Sequence, residues 1–145
     1  MTAADDVDAL IEQFYQAQQG GFLKGNSETV QKLFSHQDDV TLANPFGPPV
    51  RGWQQVAQVT ERAASVIRDG EMLGVETIAK YVTPELAYVL VIERAQAKVG
   101  GSDAITPITL RTTMIFRPED GVWKIVHRHA DPITTTQAAE SIIKK

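Results

Sequence analysis

The stretch from Leu110 to Pro132, LRTTMIFRPEDGVWKIVHRHADP, decides how the chain is read. Pro118-Glu119-Asp120-Gly121 is turn chemistry between two runs of alternating apolar and polar residues. The stretch therefore reads as a β-hairpin with strands near Ile108–Arg117 and Val122–Ala130. A type I turn closed by a left-handed glycine predicts that Pro118 faces Val122. Ile115 then opposes Ile125, Thr113 opposes His127 and Arg111 opposes His129. One face carries Arg111, Thr113, Ile115, Trp123, Ile125, His127, His129 and Asp131. The other carries Leu110, Thr112, Met114, Phe116, Lys124, Val126, Arg128 and Ala130. Both faces are mixed, so alternation leaves open which one meets the core.

Upstream, Met72–Tyr81 and Leu86–Lys98 have the same period of two, separated by the turn Val82-Thr83-Pro84-Glu85. Earlier still the period is helical. Val7, Leu10, Ile11, Phe14 and Tyr15 make one apolar face of a helix over Ala3–Gln19, ended by Gly20-Gly21. A second helix is predicted over Ser27–Ser35, a short strand over Val40–Ala43, and a third helix over Gln54–Asp69 with Gly70 as its cap. A last short helix is predicted over Gln137–Lys144. Helices gathered first and strands afterwards predict an α+β fold, a curved antiparallel sheet with the helices on one face.

The length of 145 residues predicts a single domain over 1–145, and 43% hydrophobic content is that of a globular chain. The absence of cysteine excludes disulfide scaffolds, thiol catalysis and iron–sulfur ligation. A formal net charge of −4, with no run of Lys or Arg, argues against nucleic acid or an anionic membrane as partner. No apolar run is long enough to span a bilayer, and the acidic start is unlike a secretory signal; the expected location is cytoplasmic.

The candidate chemistry centres on the hairpin. His127 and His129, two apart on a strand, project the same way. As catalytic candidates they could move a proton near neutral pH while Arg111 steadies a developing negative charge. They could instead ligate a metal with Asp131 or His36, or simply hydrogen-bond in a half-buried sheet or subunit contact. Arg111 needs a partner, and Glu93 is the best carboxylate on a neighbouring strand. Tyr88, Tyr15 and Trp53 are candidate pocket walls, and each could equally be packing. No phosphate loop and no G-x-S-x-G elbow is present.

The pieces Asn44–Trp53 (NPFGPPVRGW), Leu86–Tyr88, Leu110–Thr113 and Asp120–Asp131 (DGVWKIVHRHAD) resemble SnoaL-like proteins of the nuclear-transport-factor-2-like, ketosteroid-isomerase-like superfamily. The D-G-x-W-x-I-V-H-x-H ending is also similar to the association domain of calmodulin-dependent kinase. The resemblance implies a cone-like roll, also called cystatin-like, with an internal cavity and a homodimer formed through the outer sheet face. It implies a small, largely apolar ligand bearing a carbonyl or carboxylate. Such a ligand is either turned over by cofactor-free proton transfer (isomerase, cyclase or hydrolase type) or held without turnover in a binding or assembly module. The inward Asp that catalytic members use as general base has no counterpart on the central strand here. His127, His129 and Arg111 become the catalytic candidates; Tyr88, Trp53, Tyr15, Glu93 and Asp131 become the ligand-binding ones. Neither cofactor nor metal is expected.

Overall fold

The computed structural model describes residues 2–144. Helix α1 (Ala3–Gly20) starts at Thr2, whose hydroxyl accepts from the Asp5 N–H at 3.1 Å while the Asp5 carboxylate accepts from the Thr2 N–H at 3.2 Å. This reciprocal cap satisfies two donors that the first turn would otherwise leave unpaired. The helix buries Val7, Leu10, Phe14, Ala17 and Gln18. A 3-10 turn at Phe22–Lys24 leads into α2 (Glu28–Leu33). Strands β1 (Thr41–Ala43) and β2 (Val50–Arg51) flank the Pro-rich loop, and α3 spans Trp53–Ser65. Four long strands follow: β3 (Ile67–Val82), β4 (Ala87–Val99), β5 (Thr106–Glu119) and β6 (Val122–Asp131).

The strands form one curved, unclosed six-stranded sheet in the order β2-β1-β6-β5-β4-β3. All neighbours are antiparallel except β1 and β6, which run parallel. Register shifts in the β3–β4 ladder at Arg68/Glu71, Met72/Gly74 and Thr77/Ala79 supply curvature, because each extra residue bends its strand and adds twist. The helices cover the concave face. Val89 and Val91 from β4, Met114 and Phe116 from β5 and Ile125 from β6 meet Val7, Leu10 and Phe14 of α1 there. Phe14, Phe34 and Phe116 are almost wholly buried, and each such side chain contributes roughly 2–3 kcal/mol of transfer free energy. The α+β class and curved sheet predicted from the order of periods, and the roll implied by the resemblance, are the fold observed.

Three local expectations are corrected. The third helix stops at Ser65, not Asp69, and Ile67 and Gly70 belong to β3. Val66-Ile67 is β-branched and fits a pleated strand better than a helix. Gly70 has a packing role rather than a capping one: a Cβ there would stand 2.9 Å from both the Cβ and the carbonyl oxygen of Leu23. Gly70→Ala is expected to cost about 1–3 kcal/mol by overpacking, read as a lowered urea midpoint with unchanged m-value. The tail forms a 3-10 turn at Ala139–Ile142 in place of a helix over Gln137–Lys144.

The hairpin register also differs. Asp120 and Gly121 have φ of 52° and 82°, and Glu119 pairs with Val122, so the loop has two residues. Positive φ at both central positions suits the right-handed strand twist. A second shift between Ile115 and Phe116 then pairs Phe116 with Ile125 but Ile115 with His127. Thr113 therefore faces His129, and Arg111 faces Asp131. Two one-residue changes restore the parity, so Arg111, Thr113, His127, His129 and Asp131 do share a face. Ile125 moves to the other one.

Candidate functional site

A pocket of about 300 Å³ lies between the concave face of the sheet and the helices. Its walls are overwhelmingly apolar: Phe14 from α1, Phe22 and Leu23 from the 3-10 turn, Ala63 from α3, Met72 from β3 and Leu110 from β5. The exposed Phe46, carried by the Asn44–Pro49 loop, stands at its rim. Glu93 and Arg128 are the charged groups that line it.

These two form a buried, bidentate ion pair. Arg128 Nη1 donates to Glu93 Oε2 at 2.7 Å and Nη2 donates to Oε1 at 2.8 Å. The Tyr15 hydroxyl donates to the same Oε2 at 2.6 Å. The Arg128 guanidinium also sits 5.0 Å above the centre of the Phe14 ring, where the ring's negative face attracts it. Burial opposes charge on Glu93, yet the Arg128 pair, the Tyr15 hydroxyl and the nearby Thr112 together hold its carboxyl below the usual range. Burial, followed by the negative charge of Glu93, pushes the Tyr15 phenol far up, so it remains a donor at any working pH. Arg128 pays the same burial cost, outweighed by the attraction of Glu93, and stays protonated. The triad is thus neutral as a whole and internally hydrogen-bonded. The register places it: Glu93 alternates with Val91 and Ala95 on the concave face, and Arg128 follows the bulge that turned Ile125 inward.

Two candidates named from the sequence, Tyr15 and Glu93, are brought together here. The expectation that Arg111, His127 and His129 lean into the hollow is corrected. All three lie on the convex face, away from the pocket. Arg111 is opposite Ile92, not Glu93, so it cannot reach the carboxylate proposed for it; its Nε donates to Asp131 Oδ1 at 2.7 Å instead. His129 Nε2 lies 3.1 Å from Asp131 Oδ2, and His127 Nδ1 lies 2.7 Å from the Thr41 hydroxyl on β1. No group of three or more His, Asp or Glu side chains in metal-binding geometry occurs among the described residues. Trp53 stacks on His36 with centroids 3.7 Å apart, and Tyr88 stacks on Tyr81 on the convex face; neither lines the pocket.

The two polar pocket residues on which the site's chemistry rests beside Glu93, Arg128 and Gln18, are not singled out by the sequence. Arg128 falls on the hairpin face opposite Arg111, His127 and His129, and nothing in the spacing singles it out. Gln18 lies four positions after Phe14, the one polar side chain on the buried stripe of α1, and that interruption was its visible signal.

His127 carries a pH consequence. Partial burial, and then the neighbouring His129, lower its pKa below the ordinary histidine value near 6.5. The folded state therefore favours neutral His127, and the unfolded chain takes up the proton first. Stability from this source is present above about pH 6.5 and is lost as pH falls from there toward the folded value. The slope of unfolding free energy between pH 7.5 and 5.5 should be positive with pH and flatter in His127→Asn, measured by urea melts at each pH.

A curved sheet with helices over its concave face defines an α+β roll as the class of fold. Within it, the chain belongs to the SnoaL-like domain family, whose model matches residues 7–134. A nuclear transport factor 2-like superfamily protein from Salmonella enterica superposes with a TM-score of 0.75 at 17% identity, over 94% of each chain. A protein from Streptomyces avermitilis, named as a candidate dehydratase of the same superfamily, gives 0.74 at 18% identity over 92% of this chain and 98% of that one. A ketosteroid isomerase-like protein from Erwinia carotovora gives 0.72 at 16% identity, over 90% and 96%. At these identities the likeness is one of fold. No curated protein matches the chain.

Proposed function

We propose that this protein binds a small, largely apolar ligand bearing a carbonyl or carboxylate in the pocket beneath α1. The observation that carries the reading is a walled, largely apolar space of about 300 Å³ with few polar side chains, its charged pair Glu93–Arg128 neutral as a whole. Apolar walls with few convergent polar groups are the usual form of a small-molecule site. Cofactor-free proton transfer is the catalytic version of this reading, as names of structural relatives such as dehydratase and isomerase suggest. It would fall to Glu93, the carboxylate that lines the pocket, and its pairing with Arg128 makes Glu93 a weak base. Binding is therefore favoured over turnover. The test is an NMR titration with indane, a rigid apolar probe that fits the volume. Saturable shifts at Phe14 and Met72, abolished in the pocket-filling variant Ala95→Phe, support the site; the absence of shifts at pocket residues rejects it.

A second reading, assembly through the convex face, rests on a separate observation. Tyr81 and Tyr88 are exposed there and stacked with ring centroids 6.2 Å apart, beside half-buried Leu90 and Ile92. An apolar patch rimmed by Arg111, His129 and Asp131 suits a second copy of the chain. Sedimentation of Arg111→Ala and Tyr88→Glu against the parent chain tests it, with a monomeric parent rejecting the homodimer.

A further inference from the structure

We infer that the pocket takes a neutral ligand, an alcohol or ketone rather than a carboxylate, and that the Gln18 amide is the group that reads its polar atom. The inference rests on the pocket being a ligand site; of the carbonyl and carboxylate named above it keeps the neutral carbonyl, drops the carboxylate and adds the neutral alcohol. The first observation concerns charge. Arg128 is the cation lining the pocket, and both of its terminal nitrogens face the Glu93 carboxylate at 2.7 and 2.8 Å. A ligand carboxylate would lose its water, find no uncompensated cation, and meet the negative charge of Glu93. Neutral polar groups escape that penalty.

The second observation concerns Gln18. The residue is 7% exposed and lines the pocket. Its Oε1 is sealed from solvent and has no donor among the described residues. A buried amide oxygen without a donor is costly, and most such groups in folded proteins are satisfied. The other pocket polar side chains have local roles: the Thr60 hydroxyl donates to the Val56 carbonyl at 2.7 Å, and Asn44 Oδ1 accepts from the Phe46 N–H at 3.0 Å. Among the pocket-lining side chains described, Gln18 is the one with a fully buried polar atom that lacks a partner. Rotation about its last side-chain bond presents either the NH₂ or the oxygen to the pocket, so one residue can donate to a ketone or accept from an alcohol.

The test compares four probes of one shape, indane, 2-indanol, 2-indanone and indane-2-carboxylate, at pH 7.5 by NMR titration on the full chain. The alcohol and ketone are expected to bind about tenfold more tightly than indane, and the carboxylate more weakly than indane. In Gln18→Leu the advantage of the alcohol and ketone over indane disappears while indane binding persists. Equal affinity of all neutral probes in the parent chain, or an advantage that survives Gln18→Leu, overturns the role of Gln18. Tightest binding by the carboxylate overturns the charge argument. Either result leaves the pocket standing, because indane still binds. Loss of indane binding at the pocket residues rejects both the site and this inference.

Discussion

Arg128→Leu is expected to lower the unfolding free energy by about 3–5 kcal/mol. The change removes the cation and leaves the Glu93 carboxylate buried with only Tyr15 as a strong donor. Its pH dependence identifies the cause. In the parent chain the Glu93 pKa is depressed, so the pair's contribution is present above the unfolded carboxylate value near 4.3 and is lost as pH falls below it. Without Arg128, burial dominates and the Glu93 pKa rises above its unfolded value. The folded state then binds the proton more tightly, and stability falls as pH rises. The gap between variant and parent should therefore narrow from pH 8 to pH 5 in urea melts. The double variant Arg128→Leu/Glu93→Leu should recover much of the loss, since it removes the uncompensated charge as well. A pH-independent gap would show that packing, not charge, was lost.

Phe14→Ala is expected to cost about 3–5 kcal/mol as well, by a different route. Phe14 is 1% exposed and packs its edge against Tyr15, with ring centroids 5.1 Å apart and planes at 86°. It also supports the Arg128 guanidinium. Its removal deletes transfer free energy and enlarges the pocket it lines. Because the new space is apolar, saturating indane should restore part of the stability by binding only the folded state. Thermal melts with and without indane measure both effects.

These effects concentrate on one helix and one strand that the sequence treats very differently. The α1 stripe is a local pattern. Val7, Leu10 and Phe14 declare a buried side through spacing alone, and the sequence offers Tyr15 as a pocket wall or packing and Glu93 as a carboxylate for Arg111. On β6 the pattern is ambiguous. His127 and His129 drew attention because imidazoles carry chemistry, and Arg128 between them did not. Alternation correctly grouped Arg111, His127, His129 and Asp131, but grouping is not orientation. The helices cover the opposite face, and the apolar weight of Met114, Phe116 and Ile125 is what turns that face inward. The bulge that moves Ile125 into this set is invisible to a strict period of two.

From the chain's own order of residues came the α+β class, the amphipathic first helix, the long hairpins, and a family resemblance that the match over residues 7–134 bears out. These rest on local periodicity and turn chemistry, which neighbouring residues determine. Which face of the sheet encloses the pocket, and that Arg128 rather than Arg111 meets Glu93, were decided only in three dimensions. Burial of an ion pair depends on contacts between α1, β4 and β6, segments dozens of residues apart. A single extra residue in one strand exchanges inside for outside without changing composition at all.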